Sequence, residues 1–135
     1  MLRQDDYQKG LVALAGWRYG HEYGGHLGSC LIMSCLANRQ KLGWGSWSEI
    51  IEGIPKYSAT IEQPLSYPSV WEPNFVRLLH EIEAIYDGSK DYANGGVYWF
   101  DSAKPVTHEW FKEKILSEKQ AHPCTGNMNS LMTFR

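Results

Sequence analysis

The sequence predicts a mainly α fold, α+β only in the sense of minimal sheet, with residues 1–135 forming a single domain. Three observations carry that expectation. Apolar residues recur at helical spacing in several stretches separated by glycine and proline stops. Only one short aromatic run, "NGGVYWF", reads as a turn followed by an extended segment. A chain of 135 residues, 43% apolar and 13% aromatic, suffices for one buried core, and no linker or internal repeat divides it.

The elements follow in order. Leu11, Leu14, Ala15 and Arg18, with Tyr7 a turn earlier, trace one face of a helix from about Gln4 to Glu22, and Gly24 is its expected C′ residue. A second helix from about His26 to Lys41 carries Leu27, Leu31, Ile32, Cys35 and Leu36 and is apolar enough to lie at the centre of the core. In "SWSEIIEGIP", Ser46 stands three residues before Glu49 as a capping box, and Pro55 is the expected stop. Residues 55–71, rich in proline, serine and tyrosine, read as a long ordered loop of the kind that carries function. A third long helix runs from about Pro73 to Tyr86, with Phe75, Leu78, Leu79, Ile82 and Ile85 inward and Asp87-Gly88 after it. Thr107 caps a last helix bearing Trp110, Phe111 and Ile115, and the turn-rich tail ends in a short apolar strand or coil.

Composition excludes several functions. A formal net charge of -2 leaves no electrostatic footprint for nucleic acid. No apolar run is long enough to insert in a membrane, and "MLRQDDYQKG" has no secretory core, so the expectation is synthesis in the cytoplasm without a signal peptide. Three cysteines, two of them inside an apolar helix, read as reduced thiols in a core. Asn38-Arg39, a polar pair closing that helix, reads as a tie between loop carbonyls.

The run "RYGHEYGGH" holds the densest chemistry. His21, Glu22 and His26 nearly spell the zinc-protease pattern, but five residues apart the imidazoles diverge by about 140° on a helix. Gly24-Gly25 also interrupts that helix, so no metal and no other cofactor is expected, and a zinc hydrolase is the last-ranked reading.

Three segments, in this order, resemble one family. "GHEYGGHLGSCLIMSCLANR" resembles the glutamate-containing first helix and the following glycine, apolar, Asn-Arg helix of the spore-cortex-lytic cell wall hydrolases. "EIIEGIPKYSA" resembles that family's element ending in Phe-Ser, with Tyr57-Ser58 in its place. "NGGVYWFDSAKPVTHEWF" resembles its "T-G-A-x-Y-F" element, and "TGNMNSLMTF" its closing segment. The resemblance covers about residues 16–111. It implies a lysozyme-like, lytic-transglycosylase-like domain that cuts the β-1,4 bond between N-acetylmuramic acid and N-acetylglucosamine. Peptidoglycan glycan strands would be its partner, in a phage-type endolysin or virion-associated lysin acting after release or within a particle. The family's second acidic residue, just after the first, is glycine here.

Carried over onto this chain, the resemblance makes Glu22 the catalytic residue and Tyr23, Tyr57, Ser58, Tyr98 and Trp99 the substrate-binding set. The residues themselves support an acid at Glu22. Glycosidic cleavage needs a protonated carboxyl beside the leaving oxygen. The last turn of a helix disfavours an ionised carboxylate, and Tyr19 and Tyr23 would add desolvation. Tyr57 and Trp99 offer flat faces, Ser58 and Tyr98 hydroxyls. A lytic transglycosylase needs only one carboxyl group. A two-carboxylate hydrolase would draw its partner from Glu49, Glu62 or Asp101. The alternative is a catalytically silent lysozyme-like structural or interaction protein, such as a phage tail or baseplate component.

Overall fold

The computed structural model describes residues 4–54, 65–101, 113, 122–123 and 131–134. The chain is mainly helical, and its centre is one long element, α1 (Gln4–Lys41). Asp5 and Asp6 in its first turn and Arg39 and Lys41 in its last complement the helix dipole. The expected gap between two helices is a single-residue break at Gly25 (φ 60°, ψ -146°), one position later than the expected stop at Gly24. That backbone is the mirror image of an extended residue, open only to glycine. It folds residues 26–41 back along residues 4–24.

The two arms meet backbone to backbone. Gly16, Gly20, Gly24 and Gly28 recur every four residues. A Cβ placed on Gly20 would stand 2.5 Å from the Gly28 carbonyl oxygen, and one on Gly16 would stand 2.9 Å from that of Ser29. Residues without side chains let helices approach this closely.

This contact corrects the expected core face of the first arm. Val12, Ala13, Gly16, Trp17 and Gly20 are buried, and of the expected face Ala15 is buried too, whereas Leu11, Leu14 and Arg18 are half-buried and Tyr7 is exposed. Apolar side chains mark a core face by their size. Here the most intimate contact is made by glycines, which carry no such mark. On the second arm the expectation holds: Leu31, Ile32, Cys35 and Leu36 are buried, with Leu27 half-buried.

A short helix, α2 (Trp47–Glu52), begins at the expected capping box, with Glu49 N–H donating to Ser46 Oγ and Ser46 N–H to Glu49 Oε1, both at 3.2 Å. Gly53 closes it, its N–H donating to the Glu49 carbonyl at 3.0 Å. Pro55, the expected stop, lies outside the described residues. Helix α3 (Pro73–Tyr86) opens on proline and buries Phe75, Leu78, Ile82 and Ile85. Leu79, expected inward, is 40% exposed.

Aromatic pairs join α3 to α1 and α2 to α3. Trp17 meets Phe75 edge-on at 6.3 Å, and Trp47 stacks on Tyr86 at 5.0 Å. Tyr86 Oη then donates to Gln8 Oε1 at 2.8 Å. Strands β1 (Tyr98–Asp101), β2 (His122–Pro123) and β3 (Leu131–Phe134) form a small antiparallel sheet with β3 in the middle. Tyr98 pairs with Phe134, and His122 with Thr133.

Cys30 and Cys35 are buried and form no disulfide. Burial pushes the Cys35 thiol up to about 12, against a smaller downward pull from Arg39. Among the described residues no helix is long and apolar enough to cross a membrane. Of the last expected helix Glu113 is described and helical, while Thr107, Trp110, Phe111 and Ile115 lie outside the described residues, as does Cys124.

Candidate functional site

The second arm ends in a tie to the segment leading into β1. Asn38 Nδ2 donates to the Gly96 carbonyl at 2.9 Å and to the Asp91 carboxylate at 3.2 Å. Arg39 Nε donates to the Val97 carbonyl at 2.7 Å. Asn94 and Gly95 both sit at positive φ, and Gly96 N–H donates to the Ala93 carbonyl at 2.9 Å. Asn-Gly suits such a turn because both central residues must adopt the left-handed region. Asp91 braces it, accepting from Ala93 N–H at 2.9 Å and Gly95 N–H at 2.8 Å.

That tie explains why two expected substrate contacts are not surfaces. Trp99 is 0% and Tyr98 8% exposed. The buried Arg39 guanidinium lies 4.6 Å from the Trp99 ring centre and 5.9 Å from that of Tyr98, and Trp44 closes on Tyr98 at 5.5 Å. Trp99 therefore has no open face to stack on a sugar in this arrangement, and Tyr98, expected to offer its hydroxyl, is buried beside it. Tyr57 and Ser58 lie outside the described residues, and of Tyr23 only the backbone, near the end of the first arm, is described.

Glu22 stands three residues before the break at Gly25 in α1, and its side chain is exposed. Tyr19, expected beside it, is half-buried against the core. His21 next to it stacks flat on Trp17 at 4.2 Å, and burial holds its imidazole below the ordinary range, with Glu72 pulling the other way. Of the candidate partner carboxylates, Glu49 is bound to the Ser46 cap, whose backbone and hydroxyl bonds hold it below the usual carboxylate range. Glu62 and the side chain of Asp101 lie outside the description.

A cleft of about 280 Å³ opens on the first arm, lined among others by Leu11, Leu14, Arg18, Tyr19, Glu52 and Tyr67. Leu11, Leu14 and Arg18 belong to the face that the helical spacing traced in the sequence. Glu22 belongs to the same stripe: eleven residues after Leu11, at about 100° per residue, it returns to within about 20° of Leu11's direction. The loop bearing Tyr67 is pinned to the arm twice. Leu65 N–H donates to the Arg18 carbonyl at 2.8 Å, and Arg18 Nε donates to the Leu65 carbonyl at 3.1 Å. Residues 65–67 belong to the stretch read as a long loop, but nothing in their sequence announced the pairing with Arg18.

A second polar cluster joins the other arm to α3. Tyr92 Oη donates to Glu81 Oε2 at 2.7 Å, Lys90 Nζ donates to Tyr92 Oη at 3.2 Å, and His26 Nε2 lies 3.9 Å from Glu81 Oε1. The Tyr92 hydrogen bond, with Lys90 and His26 nearby, holds the Glu81 carboxyl below its usual range. His26 is far from the other three in sequence, and no spacing links them. Among the described residues no group of three His, Cys, Asp or Glu side chains is placed to hold a metal ion. Compared with known proteins, the chain matches no family model, no curated protein and no solved structure.

Proposed function

We propose that the chain is a lysozyme-like domain that cuts the β-1,4 bond between N-acetylmuramic acid and N-acetylglucosamine in peptidoglycan, with Glu22 as its single acid and base. The observation that carries this reading is the tie of Asn38 and Arg39 to Gly96 and Val97. It brings together two of the three segments that carry the family resemblance, although they are 58 residues apart in the chain. Glu22 is exposed beside the turn in α1, where a glycan strand can reach it, and the seated strand is what would exclude water and favour its protonated carboxyl.

In this mechanism the Glu22 carboxyl gives its proton to the glycosidic oxygen as the bond to the muramic C1 breaks. The resulting carboxylate takes the proton from the C6 hydroxyl of the same sugar, whose oxygen closes on C1 and leaves a 1,6-anhydro end. No second carboxylate is required. Released through a membrane lesion or carried in a particle, such a domain serves as an endolysin or virion-associated lysin. Glu22→Gln tests the assignment: the variant is expected to fold like the parent and to lose clearing of purified cell walls. Retained clearing removes Glu22 from the chemistry.

The exposure of Glu22 favours a second reading, a domain of the same kind that holds glycan or a phage structural partner without cutting. Wild-type protein that sediments with walls yet releases no soluble fragments selects it.

A further inference from the structure

We infer that the cleft over Leu11 and Leu14 is a binding site for an N-acetylhexosamine of a glycan chain, with Tyr67 as its stacking platform and Arg18 and Glu52 as its polar contacts. The inference rests on the peptidoglycan reading for the position of the bond to be cut, but not for the cleft itself.

The argument begins with an apolar stripe that the core leaves uncovered. Glycine packing between the arms places Gly16 and Gly20 inward, which leaves Leu11 and Leu14 half-buried on the other side. A pyranose ring has the matching character: C–H faces that rest on an apolar or aromatic floor, and a rim of hydroxyls and an acetamido group that needs donors and acceptors.

The cleft supplies both kinds of contact. Tyr67 is 68% exposed, and its ring lies 4.3 Å from the Arg18 guanidinium. The two hydrogen bonds between Arg18 and Leu65 fix the backbone two residues away, so the phenol is exposed yet held in place. Arg18 uses its Nε on Leu65, and its remaining guanidinium donors suit an acetamido carbonyl or a hydroxyl. Glu52 on the same cleft accepts from an amide N–H or a hydroxyl. A wall bearing both a cation and an anion favours a neutral polar ring over an acyl chain or a phosphate. Glu22 lies one helical turn, about 6 Å along the axis, beyond Arg18 on the same stripe. A chain seated on Tyr67 therefore runs toward the acid.

The test is co-sedimentation of the full chain carrying Glu22→Gln, which blocks turnover, with purified peptidoglycan sacculi and separately with chitin. Adding Tyr67→Ala is expected to weaken binding about five- to tenfold, the worth of one aromatic face, and Tyr67→Phe to restore it. Tyr67 is largely exposed, so circular dichroism of the alanine variant should match the parent. Equal binding by the parent, Tyr67→Ala and Tyr67→Phe overturns the site, even if wild-type protein cleaves walls and the Glu22 assignment stands. Tyr67-dependent binding to sacculi without cleavage by wild type supports the site and overturns the catalytic reading. Tyr67-dependent binding to chitin alone supports the site and removes the cell wall as target. Binding to neither polymer overturns both.

Discussion

Gly20 and Gly28 touch across the turn in α1 so closely that a methyl group on the first would stand 2.5 Å from the carbonyl oxygen of the second. Nothing flexible separates them, because the obstacle is backbone. Gly20→Ala is therefore expected to cost about 2 kcal/mol or more, overpacking outweighing the helix propensity gained. Gly10→Ala is the control. No atom lies within 4 Å of a Cβ at that position, so the same change should stabilise by about 0.5–1 kcal/mol. Urea melts of the two variants check the pair, and an equal effect in both contradicts the close approach.

Arg39 is 1% exposed, and its role depends on a planar, forked group. Its Nε reaches the Val97 carbonyl while the same guanidinium lies near the rings of Trp44 and Trp99. Lysine has the charge but not the plane. Arg39→Lys is expected to lose about 2 kcal/mol, and Arg39→Ala about 3 kcal/mol or more through the added cavity. Chemical denaturation followed by tryptophan fluorescence measures both, and a lysine variant as stable as the parent refutes the geometric account.

His26 gives a pH dependence whose sign follows from its surroundings. Burial, the nearby Arg77 and His21 hold its imidazole below the ordinary value, and Glu81 offsets them only in part. A protonated ring would also bury an N–H at Nδ1 with no acceptor among the described residues. The unfolded chain then binds more protons, so stability rises with pH across the window. It is fully present above the ordinary imidazole value of 6.5 and declines as pH falls below it toward the folded-state value. His21, lowered mainly by burial, acts with the same sign. Melting temperatures should fall between about pH 7 and pH 5, and His26→Gln should flatten that slope. An unchanged slope in the variant assigns the effect elsewhere.

One carboxyl group working alone makes a particular product. Digests of purified peptidoglycan should contain 1,6-anhydromuramic ends, each lighter by one water than a hydrolysed end. Mass spectrometry of the soluble fragments distinguishes the two. Hydrated reducing ends would instead require a partner carboxylate, and Glu49 is already held by the Ser46 cap.

Much of the helical framework was legible because its signals are local. The Ser46–Glu49 capping box, the bounds of α3 and the apolar second arm all arise from residues within a few positions of one another. The Asn38-Arg39 tie was also readable, since a polar pair at the end of a buried helix must find carbonyls. The core face of the first arm was misread because glycine packs without adding hydrophobicity. Tyr98 and Trp99 were misplaced for a related reason. An aromatic pair has the same appearance in sequence whether its faces meet a ligand or a buried arginine, and here Arg39 lies against both. Tyr67 and its link through Leu65 to Arg18 span 47 residues and left no periodic trace.

The reversal at Gly25 also sets an order of assembly. Gly20 meets Gly28 after eight intervening steps of chain and Gly16 meets Met33 after seventeen, whereas Asn38 reaches Gly96 across 58. Short loops close sooner and at lower entropic cost than long ones. During synthesis the helical hairpin can therefore form while the segment that becomes β1 is still inside the ribosome, and the sheet docks afterwards onto a nucleus already in place.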